Sequence, residues 1–248
     1  MNYLVGDIGN TFIKFSVLNK DFKIKRTYNL KTKKIYQEKT RNKLLNKFNS
    51  KLTYKKVIFS SVVPKAFEVI KKNLRKKKFT VSEVKEINLK KIIKIKVKNY
   101  KQLGSDRISN AIGALNYNNS IIIDFGTATT FDVLINRVYE GGVISPGVNL
   151  SILNLNKSTA LLPVLKLKKT KKNYGKNTQE ALNAGFLWGY QGLINNIINK
   201  ITLNSKLKFK IILTGGYAKL FNRYIKSKTT IDQNITIKGI AKILKEII

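Results

Sequence analysis

The sequence predicts an α/β protein built from two similar halves with a cleft between them. Three observations carry this. The run Val5-Gly6-Asp7-Ile8-Gly9-Asn10-Thr11 returns 117 positions later as Ile123-Asp124-Phe125-Gly126-Thr127-Ala128-Thr129-Thr130. In both, an apolar strand ends in Asp, Gly follows two residues on, and hydroxyl residues lead into a second apolar stretch. Each such opening is then followed by alternating helical and strand-like material. Glycine is also unevenly spread: of 15 in the chain, only Gly6 and Gly9 precede Gly104.

In chain order, 3–5, 11–18 and 22–28 read as a meander of strands, the second with rough alternation. Residues 34–48 are polar and lysine-rich and read as a helix. A short apolar strand at 57–59 runs into Ser60-Ser61-Val62-Val63-Pro64, and 65–77 fits a helix with Phe67, Ile70 and Leu74 at helical spacing. Mixed strand-like material fills 81–97. A helix over 105–117 has Ile108, Ala111, Ile112 and Leu115 as its stripe, and the domain boundary is set at its end. The second half repeats the opening with strands at 120–124, 129–135 and 138–144. Pro146-Gly147 turns into a helix at 148–156, and a long helix spans 178–201 with Thr178 as its N-cap. A strand at 208–213 leads into Thr214-Gly215-Gly216, and helices at 216–226 and 237–247 follow.

Composition removes several classes of function. At 248 residues and 43% hydrophobic content, the chain supports one large or two ordinary domains. No run approaches the ~20 apolar residues of a membrane span. No charged stretch precedes the first apolar run, as a secretory signal requires, so a cytoplasmic enzyme is expected. Without Cys there is no disulfide or thiolate chemistry, and without His there is no Ser-His-Asp mechanism; any general base is a carboxylate or a lysine. Only 13 acidic residues oppose 49 basic ones, for a net charge of +36. Five of those acids, Asp7, Asp106, Asp124, Asp132 and Glu140, lie within a few residues of a glycine. The lysines are dispersed among many Asn and Ile, with no nucleic-acid motif, so they read as a solvated surface that attracts phosphate-bearing substrates rather than as a specific nucleic-acid site.

The chain has neither GxxxxGK[ST] nor GxGxxG. A glycine turn between strands still brings backbone N–H groups close to an anion, and the adjoining Asp and Thr suit a metal ion and phosphate oxygens. Two such turns facing each other make a clamp for a nucleoside triphosphate, with Asp7, Asp106 and Asp124 expected to meet around it. The paired turns and the Thr-Gly-Gly turn resemble the phosphate-1, phosphate-2 and adenosine elements of the actin–sugar kinase–heat-shock ATPase superfamily. That resemblance implies two actin-like (ribonuclease H-like) ATPase domains, 1–117 and 118–248, with a nucleotide cleft between them.

Within that superfamily the chain is similar to the type III pantothenate kinases. Asp7-Ile8-Gly9-Asn10-Thr11-Phe12-Ile13-Lys14 resembles the family's DxGNTxxK motif, and Gly104-Ser105-Asp106-Arg107 its GxDR motif, with Asn110 and Ala114 also fitting. The run Asp124 to Asp132 resembles DxGTAxTxD, and Gly141 to Gly147 resembles GGxIxPG. Thr159-Ala160-Leu161-Leu162-Pro163 resembles TAxLP, and Gly175-Lys176-Asn177-Thr178 resembles GxNT. The motifs keep their order over nearly the whole chain.

The resemblance implies transfer of the ATP γ-phosphate to the primary hydroxyl of pantothenate, the opening step of coenzyme A synthesis. Asp7, Ile8, Gly9, Asn10, Thr11, Phe12, Ile13, Lys14 and Thr127 are carried over as the ATP site, with Mg²⁺ accompanying ATP near Asp7. Gly104, Ser105, Asp106, Arg107 and Thr178 are carried over to pantothenate, with Asp106 as the general base. Asp106 also has the position of a first-turn Asp favoured by the helix dipole. Arg107 either holds the substrate carboxylate or steadies charge near the base. Asp124 is implied to coordinate a monovalent cation, K⁺ or NH₄⁺; Asp132 stands one strand on, and Gly215 and Gly216 let backbone pass close to adenine or ribose. A homodimer with the pantothenate pocket near its interface is implied as well. One departure stands out: the family's Tyr-x-Asn-Pro ahead of GxDR is here Val97-Lys98-Asn99-Tyr100. A kinase for another small alcohol, or a non-catalytic nucleic-acid-binding homologue, is the alternative reading.

Overall fold

The computed structural model describes residues 2–48, 52, 54–203 and 205–248. Along the chain run β1 (Tyr3–Ile8), β2 (Phe12–Leu18), β3 (Ile24–Lys31), α1 (Glu38–Asn46), β4 (Lys56–Ser61), α2 (Pro64–Arg75), β5 (Thr80–Glu83) and α3 (Ser105–Gly113). They are followed by β6 (Ser120–Phe125), β7 (Ala128–Ile135), β8 (Val138–Pro146), α4 (Val148–Lys157), α5 (Thr178–Thr202), β9 (Lys210–Gly215), α6 (Ala218–Phe221), β10 (Thr229–Ile231) and α7 (Ile235–Glu246).

The elements form two five-stranded sheets, ordered β3-β2-β1-β4-β5 and β8-β7-β6-β9-β10. Counted from the first strand of each, both orders read 3-2-1-4-5, which is the duplication expected from the sequence. The strand directions repeat too: β1 is antiparallel to β2 and parallel to β4, while β6 is antiparallel to β7 and parallel to β9. Both central strands are nearly continuous apolar runs because each is covered on both faces. Leu4, Val5, Val57, Ile58 and Phe59 are fully buried, as are Ile121, Ile122 and Ile123. Gly6 is required on β1, because a Cβ there would overlap the Phe59 ring on the neighbouring strand.

The chain divides into two compact units. One comprises Met1–Asn116, Arg137–Tyr139 and Asn234–Ile248; the other comprises Tyr117–Asn136 and Glu140–Gln233. The first has its core between the sheet face bearing Leu4, Phe15 and Phe59 and the helices bearing Leu45, Phe67, Ile70 and Leu74. The second packs Ile121, Ile123, Phe131 and Leu213 against Leu187, Ile194 and Phe221.

This division differs from a cut at residue 117, because α7 packs with the first unit. The cause is backbone contact between α3 and α7. A Cβ on Gly239 would overlap the Ser109 carbonyl, and one on Gly113 would overlap the Ile235 carbonyl. Thr236 Oγ1 donates to Asn110 Oδ1 at 2.7 Å across the same seam, and both residues are buried. Local differences are smaller. The helix expected over 34–48 is a 3-10 turn, Thr32–Tyr36, followed by α1. The 81–97 region is strand only over β5; beyond the 3-10 turn Val84–Glu86 it keeps one isolated bridge, Ile95 to Tyr139. Strand β10 was not foreseen, since three half-buried residues carry too short a pattern to read.

Candidate active site

In the first unit, Asp7 near the end of β1 lies in register with Lys14 on β2 and Ser60 on β4. Register partners share a sheet face, so a carboxylate, an ammonium and a hydroxyl stand side by side. Ser60 is buried, and its Oγ has no hydrogen-bond partner among the described residues. The turn that follows is closed by its own Gly9 N–H donating to Phe12 O at 3.0 Å and is pinned by Thr32, just after β3: Thr32 N–H donates to Thr11 O at 3.0 Å and Thr32 Oγ1 to Gly9 O at 2.6 Å. Asn10, Thr11 and Phe12 are exposed. Ile8 and Ile13 are core residues, so a ligand meets only their backbone.

Gly104 enters α3 in an extended conformation (φ −63°, ψ 140°). Asp106 turns its carboxylate back over that glycine, where a Cβ would overlap Oδ1, and accepts the Arg107 N–H at 2.8 Å. Burial is the largest influence on Asp106 and raises its pKa above the ordinary carboxylate value; the Arg107 N–H and guanidinium and the Lys85 ammonium pull the other way. A half-buried carboxylate held at a helix start is thus a stronger base than a solvated one. Ser105 is buried, and its carbonyl accepts Ser109 Oγ at 2.7 Å. Tyr100 opens a 3-10 turn capped by Asn99, whose Oδ1 accepts the Lys101 N–H at 3.1 Å. Burial, and then the charge of Glu83, pushes the Tyr100 phenol up.

In the second unit, three glycines converge on the Asp124 turn. A Cβ on Gly215, which has φ +83°, would lie 2.6 Å from both Asp124 Oδ1 and Phe125 O. A Cβ on Gly126 would lie 3.8 Å from the same Asp124 oxygen, and one on Gly147 would overlap the Thr127 carbonyl. Gly216 N–H donates to Phe125 O at 3.0 Å. Asp124 is in register with Thr130 and Thr214. The motifs around Asp124, Gly147 and Gly215, far apart in sequence, therefore share one spot. Thr127 is exposed there. Asp132 is buried on β7, in register with Ile122.

Thr178 is the first residue of α5 and not its N-cap. Asn177 takes that role: its backbone is extended and its Oδ1 accepts the Glu180 N–H at 2.9 Å. Thr178 lines a cavity of about 910 Å³ with Pro146, Ser151, Leu162, Lys176 and Tyr190. The walls are mostly apolar with a few polar groups, a pattern typical of small-molecule sites. Tyr190 OH lies 2.8 Å from Ser151 Oγ and donates to Pro146 O at 3.2 Å.

The expected residues thus fall into two sets: Asp7 to Lys14 with Gly104 to Arg107 in the first unit, and Asp124, Thr127 and Thr178 in the second. Sequence reasoning gave no role to Ser60, Lys85 or Gly147. The Pro146-Gly147 dipeptide signalled a turn but not its seat against Thr127; Ser60 and Lys85 had no signal beyond their places near the end of β4 and just after β5. Among the described residues no cluster of three or more Asp, Glu, His or Cys could hold a metal ion, and no helix is long and apolar enough to cross a membrane.

Residues 3–200 match the family model described as type III pantothenate kinase. The chain is 50% identical over 242 residues to a type III pantothenate kinase of Pelagibacter ubique, covering 96% of this chain and 97% of that one. Among solved structures it is similar to a Baf family protein from Campylobacter jejuni, at 22% identity and a TM-score of 0.61 over 98% of both chains. It is also similar to an inorganic polyphosphate/ATP-glucomannokinase from Arthrobacter, at 12% identity and a TM-score of 0.52 over 100% of this chain and 99% of that one.

Proposed function

The chain belongs to the type III pantothenate kinase family, and on that premise we propose that it transfers the γ-phosphate of ATP to the primary hydroxyl of pantothenate, giving 4′-phosphopantothenate for coenzyme A synthesis. The observation that carries this reading is Asp106: a carboxylate fixed by Gly104 and the Arg107 N–H, with burial raising its basicity. Phosphoryl transfer needs positioning and charge stabilisation more than covalent chemistry, and an alcohol acceptor needs a base for its proton.

In this reading Asp106 accepts the hydroxyl proton as the oxygen attacks the γ-phosphorus, the bond to the β,γ-bridging oxygen breaks to release ADP, and Arg107 faces the pantothenate carboxylate. The exposed Asn10 and Thr11, with Lys14 opposite Asp7, serve the nucleotide phosphates. Ile8, Gly9, Phe12 and Ile13 shape that turn, and Thr127 is assigned to the phosphates. Thr178 and the cavity beside it, about 910 Å³ and more than roomy enough, receive pantothenate.

Two ions accompany the reaction in this proposal. Mg²⁺ takes few carboxylates alongside phosphate oxygens, so the single Asp7 fits its needs. The monovalent ion, K⁺ or NH₄⁺, is assigned to Asp124, where Gly215 leaves open the space that a Cβ would fill beside Oδ1 and the Phe125 carbonyl. Bound there, it would supply positive charge to offset that of the phosphates.

We also propose a homodimer in a cytoplasmic setting. Helix α5 presents Gly185, Gly189 and Gly192 on one exposed face, with nothing within 4 Å of a Cβ at any of them. Leu150, Leu153 and Leu155 of α4 are exposed, and Leu161 is 91% exposed. A second copy covering this face would bury that apolar surface next to the cavity.

The test is a pantothenate phosphorylation assay in K⁺ and in Na⁺. Product formation with K⁺ or NH₄⁺ and little with Na⁺ alone is expected. Rapid turnover of another alcohol with pantothenate inert would overturn the substrate assignment.

A further inference from the structure

Lys85 sits in the 3-10 turn that follows β5, and that turn is unusually well fixed. Glu83 Oε2 accepts the Lys85 N–H at 2.7 Å, Glu83 Oε1 accepts the Ser61 N–H at 3.3 Å, and Glu86 Oε2 accepts the Glu83 N–H at 3.0 Å. Glu86 Oε1 also receives Lys71 Nζ at 3.1 Å. Both acids are therefore engaged in the cap. The Lys85 ammonium reaches the other way and donates to the Lys101 carbonyl at 2.9 Å. Lys101 belongs to the 3-10 turn that delivers the chain, through Leu103, to Gly104 and Asp106.

We propose that Lys85 is a positioning residue for Asp106, tethering the segment that leads into α3 and placing an ammonium at the turn before it. The proposal rests on the reading of Asp106 as the base. Its physical logic is a balance. Burial makes a carboxylate basic, but unchecked burial leaves it protonated and useless as a base. Opposing cations set how far that goes.

The charged and titratable groups around the start of α3 are few. Arg107 comes from α3 itself. Lys85 comes from the 84–86 turn, beside Glu83 and Glu86, and Tyr100 and Lys101 come from the 100–102 turn. Strand β4 ends in the neutral Ser60 and Ser61, while its Lys56 bonds to the Ile247 carbonyl. Helix α7 brings Lys242 to the other end of α3, at the Ile112 carbonyl and Asn116 Oδ1, where burial, and then the charge of Lys238, depresses its pKa. Of these, only Arg107 and Lys85 oppose the effect of burial on Asp106 by charge.

The experiment compares wild type with Lys85→Gln, Lys85→Met and Lys85→Arg in the full chain. The Asp106 carboxyl is followed by ¹³C NMR as pH is varied, its resonance assigned by loss in Asp106→Asn; kcat/KM for pantothenate is measured over the same range. Gln keeps a hydrogen-bond donor without charge. Gln and Met are expected to move the Asp106 titration upward, with the acidic limb of kcat/KM moving in step, while Arg stays with wild type. An Asp106 carboxyl that titrates at the same pH in the Gln variant as in wild type overturns the proposal, and the Gln and Arg arms decide it even where Met does not fold. Wild type that leaves pantothenate unphosphorylated would overturn the kinase reading separately, since the NMR titration needs no turnover.

Discussion

Asp106 rests its carboxylate against the bare Cα of Gly104. The glycine is not there for backbone freedom, because its φ of −63° and ψ of 140° are open to any residue. It is there for room. Gly104→Ala is therefore expected to fold normally and to push the base out of place. Misplacing a catalytic group by about an ångström costs on the order of 10²-fold. Steady-state kinetics should show kcat falling by about that factor with the far-ultraviolet dichroism unchanged.

Asp106→Asn tests the same carboxylate in two ways. Turnover should drop by ~10²–10⁴-fold if proton acceptance is part of the chemistry. Stability should move in the opposite direction. Burial raises the folded-state pKa of Asp106, so its favourable contribution is complete only below the unfolded carboxylate value of about 3.9 and is lost as pH rises through the folded value. At neutral pH the native enzyme holds a desolvated charge that Asn removes. Thermal melts at pH 7 should place the Asn variant above wild type, with the gap closing toward pH 4. A lower Tm at pH 7 would contradict the burial argument.

Much of the fold was legible because its signals are local or repetitive. The duplicated Asp-x-Gly turns gave the two openings, and the helical spacing of Phe67, Ile70 and Leu74 gave α2. The long helix from Thr178 was found to within a residue or two at its end. What could not be read depends on contacts between distant segments. Nothing in the local pattern of 235–246 says that Gly239 meets the Ser109 carbonyl, so a simple cut at residue 117 put α7 with the wrong neighbours. The choice of Thr178 over Asn177 as cap failed because both are good caps and only backbone geometry separates them. The candidate residues stand in recognisable motifs, while the meeting of Gly147, Gly215 and the Asp124 turn joins segments whose local patterns do not refer to one another.

Gly215 has the positive φ that favours glycine, and its Cα faces Asp124. Gly215→Ala adds backbone strain of roughly 1–3 kcal/mol and drives a methyl toward the carboxylate assigned to the monovalent cation. Lower thermal stability and a weakened K⁺ dependence of activity are expected together. Unchanged K⁺ activation would detach Asp124 from that role.

Gly192 lies on the open face of α5 but does not line the cavity. Gly192→Trp should leave the monomer fold intact, since nothing lies within 4 Å of the new Cβ, and should prevent a second copy from approaching closely. Light scattering is expected to report a dimer for wild type and a monomer for the variant. Monomeric wild type with full activity would remove the dimer from the proposal.

The seam between Gly239 and Ser109 bears on how the protein is made. Helix α7 is translated after all of β6 to β10, yet it completes the unit that contains β1 and α3. The segment from Tyr117 to Gln233 can close its own core without α7, whereas the unit made first keeps the inner side of α3 uncovered until α7 docks. On refolding, protease sensitivity around α3 should therefore persist until α7 has docked.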